Sequence, residues 1–206
     1  MKVSCLMPTF NRRRFIPEAV ACFHAQTLTD IELIVVDNGT DPIQDLLPTD
    51  PRIVYLRKQP RHHFCALRNF GLVVAQGKYV AIWDDDDLSH PERLAVQVAK
   101  LEETGAGLCL LASSVVTCDD PLGEWVYTPS QPWPLDNSAF FRRNVGGMFT
   151  FAVDETPYSA LRSLKRSFSK DVVLVRGRPE LLVTRRHGGN TCRRPCGHGP
   201  EWLVRG

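Results

Sequence analysis

An excess of charge of either sign is nearly absent from this sequence: 25 Lys and Arg stand against 23 Asp and Glu, a net +2 over 206 residues. So small a surplus argues against nucleic acid as the main partner and leaves charge to act locally. No apolar run is long enough to span a bilayer, and residues 1–8 are too short and too quickly broken by Pro8 for a secretory signal. A cytoplasmic location is therefore expected, with peripheral attachment to the inner face of a membrane through the arginine-rich C-terminal stretch left open. The seven cysteines are an odd number, and Cys5, Cys22, Cys65, Cys109 and Cys118 mostly sit in apolar neighbourhoods typical of reduced thiols, so no disulfide framework is expected. Cys192, Cys196 and His198, with His187, match no structural zinc spacing. No Gly-x-Gly-x-x-Gly follows a strand, and Gly77-Lys78 lacks both the upstream glycine and the following Ser or Thr of a phosphate loop. Dinucleotide and triphosphate sites of those kinds are excluded.

What the sequence does have is Trp83-Asp84-Asp85-Asp86-Asp87, four carboxylates directly behind the apolar run Tyr79-Val80-Ala81-Ile82. The run reads as a buried strand, and open α/β sheets bind their ligands at the carboxyl ends of strands. Adjacent carboxylates repel one another and resist desolvation, so a divalent cation is the simplest partner. If strand geometry continues through the acids, Asp84 and Asp86 share one face and Asp85 and Asp87 the other, and two same-face oxygens can grip one metal or one ribose. The alternative is a solvated acidic turn opening the next helix, where carboxylates suit the positive end of the helix dipole.

Along the chain, residues 3–7 read as a strand stopped by Pro8-Thr9-Phe10-Asn11. Arg12, Arg13 and Arg14 follow; they can face phosphate, although at least two are expected to be solvated. A helix is predicted over 15–26, a strand covered on both faces over 31–36, a strand over 53–56, and a helix over 66–75 closed by Gly77. Ser89 and Glu92 have capping-box spacing ahead of a helix with Leu94, Val98 and Leu101 on its buried stripe, ending near Gly105. This order, βαβ then βα twice, predicts a mainly parallel sheet with helices on its faces. Beyond Gly107 the pattern loosens. It gives a strand over 108–116, a hairpin turn over 119–123 leading to Trp125-Val126-Tyr127, and a proline-stiffened loop at 131–134. It continues with a less regular stretch over 137–153, a helix over 158–168, and strands at 172–175 and 181–183. From 185 onward a loop or mobile tail is expected.

Several ordered segments together carry a resemblance: Pro8-Thr9-Phe10-Asn11-Arg12, Ala19 with Gln26-Thr27, Glu32-Leu33-Ile34-Val35-Val36-Asp37-Asn38-Gly39-Thr40, Ala66-Leu67-Arg68-Asn69-Phe70-Gly71, Ala75-Gln76-Gly77-Lys78-Tyr79, and Asp84-Asp85-Asp86-Asp87 through Pro91-Glu92-Arg93-Leu94. In these the chain resembles glycosyltransferase family 2, most closely over its first half. The resemblance implies an α/β GT-A (Rossmann-like) fold: a mainly parallel central sheet flanked by helices, with a smaller mixed acceptor-side region. It implies one domain over 1–206, with a donor half over 1–106, an acceptor half over 107–190 and a flexible tail over 191–206. It also implies a nucleotide-diphospho-sugar donor and a glycan or other hydroxyl acceptor. By position, Pro8 and Thr9 line the nucleotide pocket, Asp37 accepts from the base, and Arg68 lies near base or diphosphate. Asp84 and Asp86 form a DXD element, Asp84 towards ribose and Asp86 on Mn²⁺ or Mg²⁺. Asp85 is grouped with the donor-binding set, although it or Asp87 can instead cap the next helix. His187, in Arg185-Arg186-His187, completes the metal shell, touches the diphosphate, or is a surface histidine.

The family's acceptor-side acid pair corresponds to Asp154-Glu155 ahead of Arg162, in reversed order. Inverting transfer needs a carboxylate to take the acceptor hydroxyl's proton, a role that falls to Glu155 or, after a one-residue slip, Asp154. A helix N-terminal acidic pair is the alternative. Two other functions stay open: a non-catalytic relative that binds nucleotide-sugar or glycan, and a nucleotidyltransferase. The latter usually needs a glycine-rich loop after the first strand, and residues 8–14 contain no glycine.

Overall fold

The run VSCLMPT forms β1 (Val3–Thr9), and β2 (Ile31–Asp37), with all seven residues buried, lies parallel to it. The computed structural model describes residues 3–59, 62–118, 124–127, 136–143, 159–168 and 171–187. In it β2 also pairs in parallel with β3 (Ile53–Arg57), and β1 with β4 (Tyr79–Ile82). On the other side of β4 lie β9 (Phe140–Arg142), β6 (Leu108–Leu111) and β10 (Val172–Val175). The seven-stranded order is β10-β6-β9-β4-β1-β2-β3, with β9 antiparallel to both its neighbours. A second sheet of four strands has β5 (Leu88–Ser89), β11 (Leu182–Arg186), β7 (Ser114–Cys118) and β8 (Glu124–Tyr127) in that order.

Side chains alternate across a strand, so each residue of the central sheet is committed to one of two cores. Val3, Cys5 and Met7 pack with Ile16, Ala19 and Phe23 of α1 (Ile16–His24) and with Leu94, Val98 and Leu101 of α3 (Arg93–Thr104). Leu6, Ile34 and Val36 face the other way, onto Cys65 and Leu67 of α2 (Phe64–Val74) and Leu164 and Phe168 of α4 (Ser159–Phe168). Helices therefore cover both faces, and the carboxyl ends of β1, β2 and β4 open together at one edge. Among the described residues no helix is long and apolar enough to cross a membrane.

Several local expectations are corrected. Gly77 does not cap α2, which ends at Ala75 in extended geometry (ψ 130°). Gly77 is needed because a Cβ there would lie 2.6 Å from the Ser4 amide nitrogen. The Ser89–Glu92 capping box does not form: Ser89 sits in β5, and the residue ahead of α3, Glu92, makes no side-chain cap. Gly105 does end α3, in the left-handed region at φ 73°. The stretch read as one strand over 108–116 is two, broken at Ala112-Ser113 and divided between the sheets. The irregular stretch supplies β9, which closes the gap between β4 and β6, and Arg185 and Arg186 lie in β11 rather than in a loop. The loop at 131–134 and the tail from 188 onward lie outside the described residues.

Candidate active site

β4 ends at Ile82, and the acids do not continue it. The Trp83 backbone N–H donates to Leu6 O at 3.0 Å and its indole N–H to Ala19 O at 3.3 Å, which anchors the ring in the core beneath the turn. Residues 84–87 then fold back as a tight turn into β5, so the two-face alternation expected of an extended strand does not arise. The four acids instead meet basic and polar groups from several distant elements. Asp84 Oδ1 accepts from Arg68 Nη2 of α2 at 2.8 Å. Asp85 Oδ1 accepts from Arg12 Nη1 at 2.8 Å, and the same nitrogen lies 2.9 Å from Asp86 Oδ2. His187 Nε2 lies 3.0 Å from that same Asp86 oxygen. Asp87 Oδ2 accepts from Asn137 Nδ2 at 2.7 Å and its Oδ1 from the Arg185 amide at 3.1 Å.

The last of these contacts explains how His187 arrives. β11 runs antiparallel to β5, with Leu182 opposite Ser89 and Val183 opposite Leu88. Continuing past that pairing carries the chain back along the acidic turn, and Asp87 holds it there through the Arg185 amide. His187 is not a surface histidine: its side chain is 2% exposed and its ring centroid lies 4.6 Å from that of Phe15.

Pro8 and Thr9 close β1 beside the turn, Thr9 buried. Asp37 closes β2, and its carboxylate is fully engaged. Gly39 N donates to Oδ1 at 2.8 Å; the Tyr55 hydroxyl and Ile43 N donate to Oδ2 at 2.8 and 3.2 Å. Arg57 sits 3.4 Å from Oδ1 and also donates to the Asp37 and Gly39 carbonyls. These contacts brace Asp37 against its own loop and β3. Asn11 takes a left-handed conformation (φ 54°), which asparagine tolerates better than most residues. Its side-chain oxygen accepts from the Thr40 amide at 2.7 Å, locking the loop after β1 onto the loop after β2. Between them a pocket of about 420 Å³ is lined by Asn11, Arg12, Arg13, Arg14, Phe15, Thr40, Asp41 and His187. Arg13 is tied to Asp45 at 2.6 Å, and the Arg14 guanidinium lies over the Phe15 ring at 4.4 Å.

The electrostatics show a cluster short of positive charge. Burial pushes the Asp85 carboxyl up to about 7; Arg12 opposes that shift and Asp86 adds to it. Asp87 is raised well above its ordinary value, by burial first and then by Asp86 and Asp84. Burial pulls Arg12 down, but Asp85 and Asp86 outweigh it and the guanidinium ends up raised. Among the described residues no three His, Cys, Asp or Glu side chains form a ready metal cage. Two donors that do meet, the Asp86 carboxylate and the His187 imidazole 3.0 Å from it, fit an ion that would take its remaining positions from phosphate oxygens and water.

Sequence reasoning missed Arg93 and Asn137. Arg93 is 1% exposed, and its guanidinium donates to Ser89 Oγ, Gln97 Oε1, Ile82 O and Asn137 O at 2.8 to 3.2 Å. It fastens the end of β4 to the segment that holds Asp87. The available signals were its place where the buried stripe of α3 begins and its inclusion in the family-like segment Pro91-Glu92-Arg93-Leu94, which gave it no role. Asp154 and Glu155 lie outside the described residues, as does the side chain of Arg162.

An open parallel sheet with its acids at the carboxyl end of the strand next to β1 is the GT-A arrangement. Residues 4–162 match Glycosyl transferase family 2, and the chain belongs to that family. It is 30% identical over 158 residues to the putative colanic acid biosynthesis glycosyl transferase WcaA of Escherichia coli K12, covering 73% of this chain and 57% of that one. Among solved structures, S. aureus TarS 1–349 in complex with UDP-GlcNAc gives a TM-score of 0.73 at 17% identity, over 92% of this chain and 60% of TarS 1–349. Mannosyltransferase PcManGT from Pyrobaculum calidifontis, in complex with GDP-Man and Mn²⁺, gives 0.65 at 19% identity, over 89% and 56% of the two chains. The chain spans less than two thirds of each of these proteins.

Proposed function

We propose that this chain is the donor-binding and catalytic part of a metal-dependent, inverting glycosyltransferase that moves a sugar from a nucleotide-diphospho-sugar to a hydroxyl of a glycan in polysaccharide assembly. The observation that carries this reading is the convergence of Asp84, Asp85 and Asp86 with Arg68, Arg12 and His187 at the carboxyl ends of β1 and β4, next to a pocket lined by three arginines and Asp41. Family membership supports it, as do the ligands named for TarS and PcManGT.

In this reading Pro8 and Thr9 line the nucleotide pocket, and Asp37 shapes its wall by holding residues 39–43. Asp84, oriented by Arg68, faces the ribose. Asp85 is the buried partner that holds Arg12 at the pocket. Asp86 and His187 hold the ion, Mn²⁺ or Mg²⁺, which when bound would neutralise the departing nucleoside diphosphate. Trp83 keeps the acidic turn seated on the core, so the carboxylates need little reorganisation on binding. On the acceptor side, Glu155 or its neighbour Asp154 removes the hydroxyl proton as that oxygen attacks the anomeric carbon from the face opposite the leaving group.

Calorimetric titration with UDP-GlcNAc and with GDP-Man, each with Mn²⁺ and with chelator, tests the donor half of the reading. Metal-dependent binding of a nucleotide-sugar is the expected result; tight binding that ignores chelator overturns the metal assignment. For the acceptor half, Glu155→Gln should keep donor affinity while transfer falls by about a hundredfold or more. Wild-type transfer by that variant removes Glu155 from the base role.

A further inference from the structure

One nitrogen, Arg12 Nη1, lies against two carboxylates at once, 2.8 Å from Asp85 Oδ1 and 2.9 Å from Asp86 Oδ2. The Asp86 oxygen it touches is the one that His187 also meets. An ion bound to that oxygen could not share the same side of it with a guanidinium, since a hard divalent ion such as Mg²⁺ sits about 2.0–2.1 Å from an oxygen ligand. We propose that Arg12 competes with the divalent ion for Asp86 and, when the ion binds, is handed to the donor's diphosphate. The inference rests on the donor-binding function proposed above.

Three further observations support the exchange. First, the Arg12 backbone is held at the rim of the pocket while its end group reaches both the acids and the pocket. The preceding residue, Asn11, is held left-handed by its bonds to Thr40, whereas the Arg12 side chain is 20% exposed and borders the pocket. Second, the pocket into which it would turn is lined by three arginines, Arg12, Arg13 and Arg14, against one carboxylate, Asp41. Arg13 is committed to Asp41 and Asp45, whereas the carboxylates that Arg12 meets, Asp85 and Asp86, belong to the acidic turn itself. Third, Asp85 lies deeper than Asp86, with a side chain 1% exposed against 8%. An ion arriving from the pocket meets Asp86 first and repels the guanidinium outward, towards any anion lodged among the arginines. A planar fork of donors is suited to bridging two phosphate oxygens. Ion and diphosphate would then bind cooperatively, because each relieves the charge left over by the other.

The experiment compares wild type, Arg12→Ala and Arg12→Lys by calorimetry, first with Mn²⁺ alone and then with inorganic pyrophosphate at saturating Mn²⁺. Pyrophosphate keeps the readout independent of base and sugar. Arg12→Ala should bind Mn²⁺ about tenfold tighter than wild type and pyrophosphate about tenfold weaker. Arg12→Lys keeps the charge but replaces the guanidinium fork with a single ammonium on a shorter reach, so it should shift both affinities in the same directions by less; it also serves if the alanine variant fails to fold. Adding Asp86→Ala to Arg12→Ala should abolish the gain in Mn²⁺ affinity. If wild type binds Mn²⁺ and neither Arg12 variant binds it more tightly, the competition is wrong while the metal-dependent reading stands. An increase in Mn²⁺ affinity without loss of pyrophosphate affinity overturns the handover. Absence of Mn²⁺ binding in wild type and variants alike overturns the metal assignment itself, and this inference with it.

Discussion

Asp37 and Asp86 invite comparison because β2 and β4 flank the same strand, β1, and each acid lies at or just past the carboxyl end of its strand. Asp37 is enclosed by donors that belong to its own loop and the next strand: two backbone amides, a tyrosine hydroxyl and a guanidinium. Asp86 shares one guanidinium with Asp85 and meets a histidine brought from the far end of the described chain. Two carboxylates in matching places thus differ in what neutralises them. Asp37 is held mainly by neutral donors of its own loop and β3, with Arg57 beside them. Asp86 meets groups drawn from distant parts of the chain, the setting in which an ion is proposed to displace Arg12.

The sharpest way to break this contrast is Asp86→Ala, for which metal-dependent donor binding should vanish and transfer should fall by about a thousandfold or more. Calorimetry and a transfer assay measure it, and donor binding that survives at wild-type strength would put the two acids in the same class. Asp37→Ala should act on the fold instead. It strands Gly39 N, Ile43 N and the Tyr55 hydroxyl, at a cost of about 3 kcal/mol in urea unfolding. Asp86→Asn, by contrast, should melt no lower than wild type in chelator, because it removes one of several crowded like charges.

Arg93→Met probes the mount beneath the acidic turn. It leaves the Ile82 and Asn137 carbonyls buried without their donor, a loss of about 2 kcal/mol, with Mn²⁺ affinity falling alongside stability. The smallest effect expected is on pH. The folded-state carboxyl of Asp85 is raised to about 7 from an ordinary 3.8, so the fold favours its protonated form. That stabilisation is complete below the ordinary value and is lost as pH rises through the folded one. In chelator, Tm should therefore rise between about pH 8 and about pH 5, and Asp85→Asn should flatten the slope. A wild-type Tm that falls over that interval, with Asp85→Asn falling in parallel, removes Asp85 as its source.

The first half of the molecule was legible because its elements are long and locally periodic. β2 reads as a continuous apolar run, Leu94, Val98 and Leu101 as a helical stripe, and both predictions match the burial observed. The second half was less so. β9 has three residues, too few to show any period, and its place between β4 and β6 is set by partners distant in sequence. The unbroken apolarity of residues 108–112 concealed the point at which the chain leaves one sheet for the other. Gly77 was misread for a related reason: a helix cap is a local requirement, whereas closeness to Ser4 is a tertiary one.

The sequence by itself determined the alternation of strands and helices over the first hundred residues and gathered carboxylates behind an apolar strand, since both follow from the order of neighbouring side chains. Only the tertiary structure decided which cation answers which acid. Arg12 reaches Asp85 across 73 positions and His187 reaches Asp86 across 101. Such separations leave no trace in local periodicity, because the packing of β1 against β4 and of β11 against β5 brings those groups within hydrogen-bonding distance.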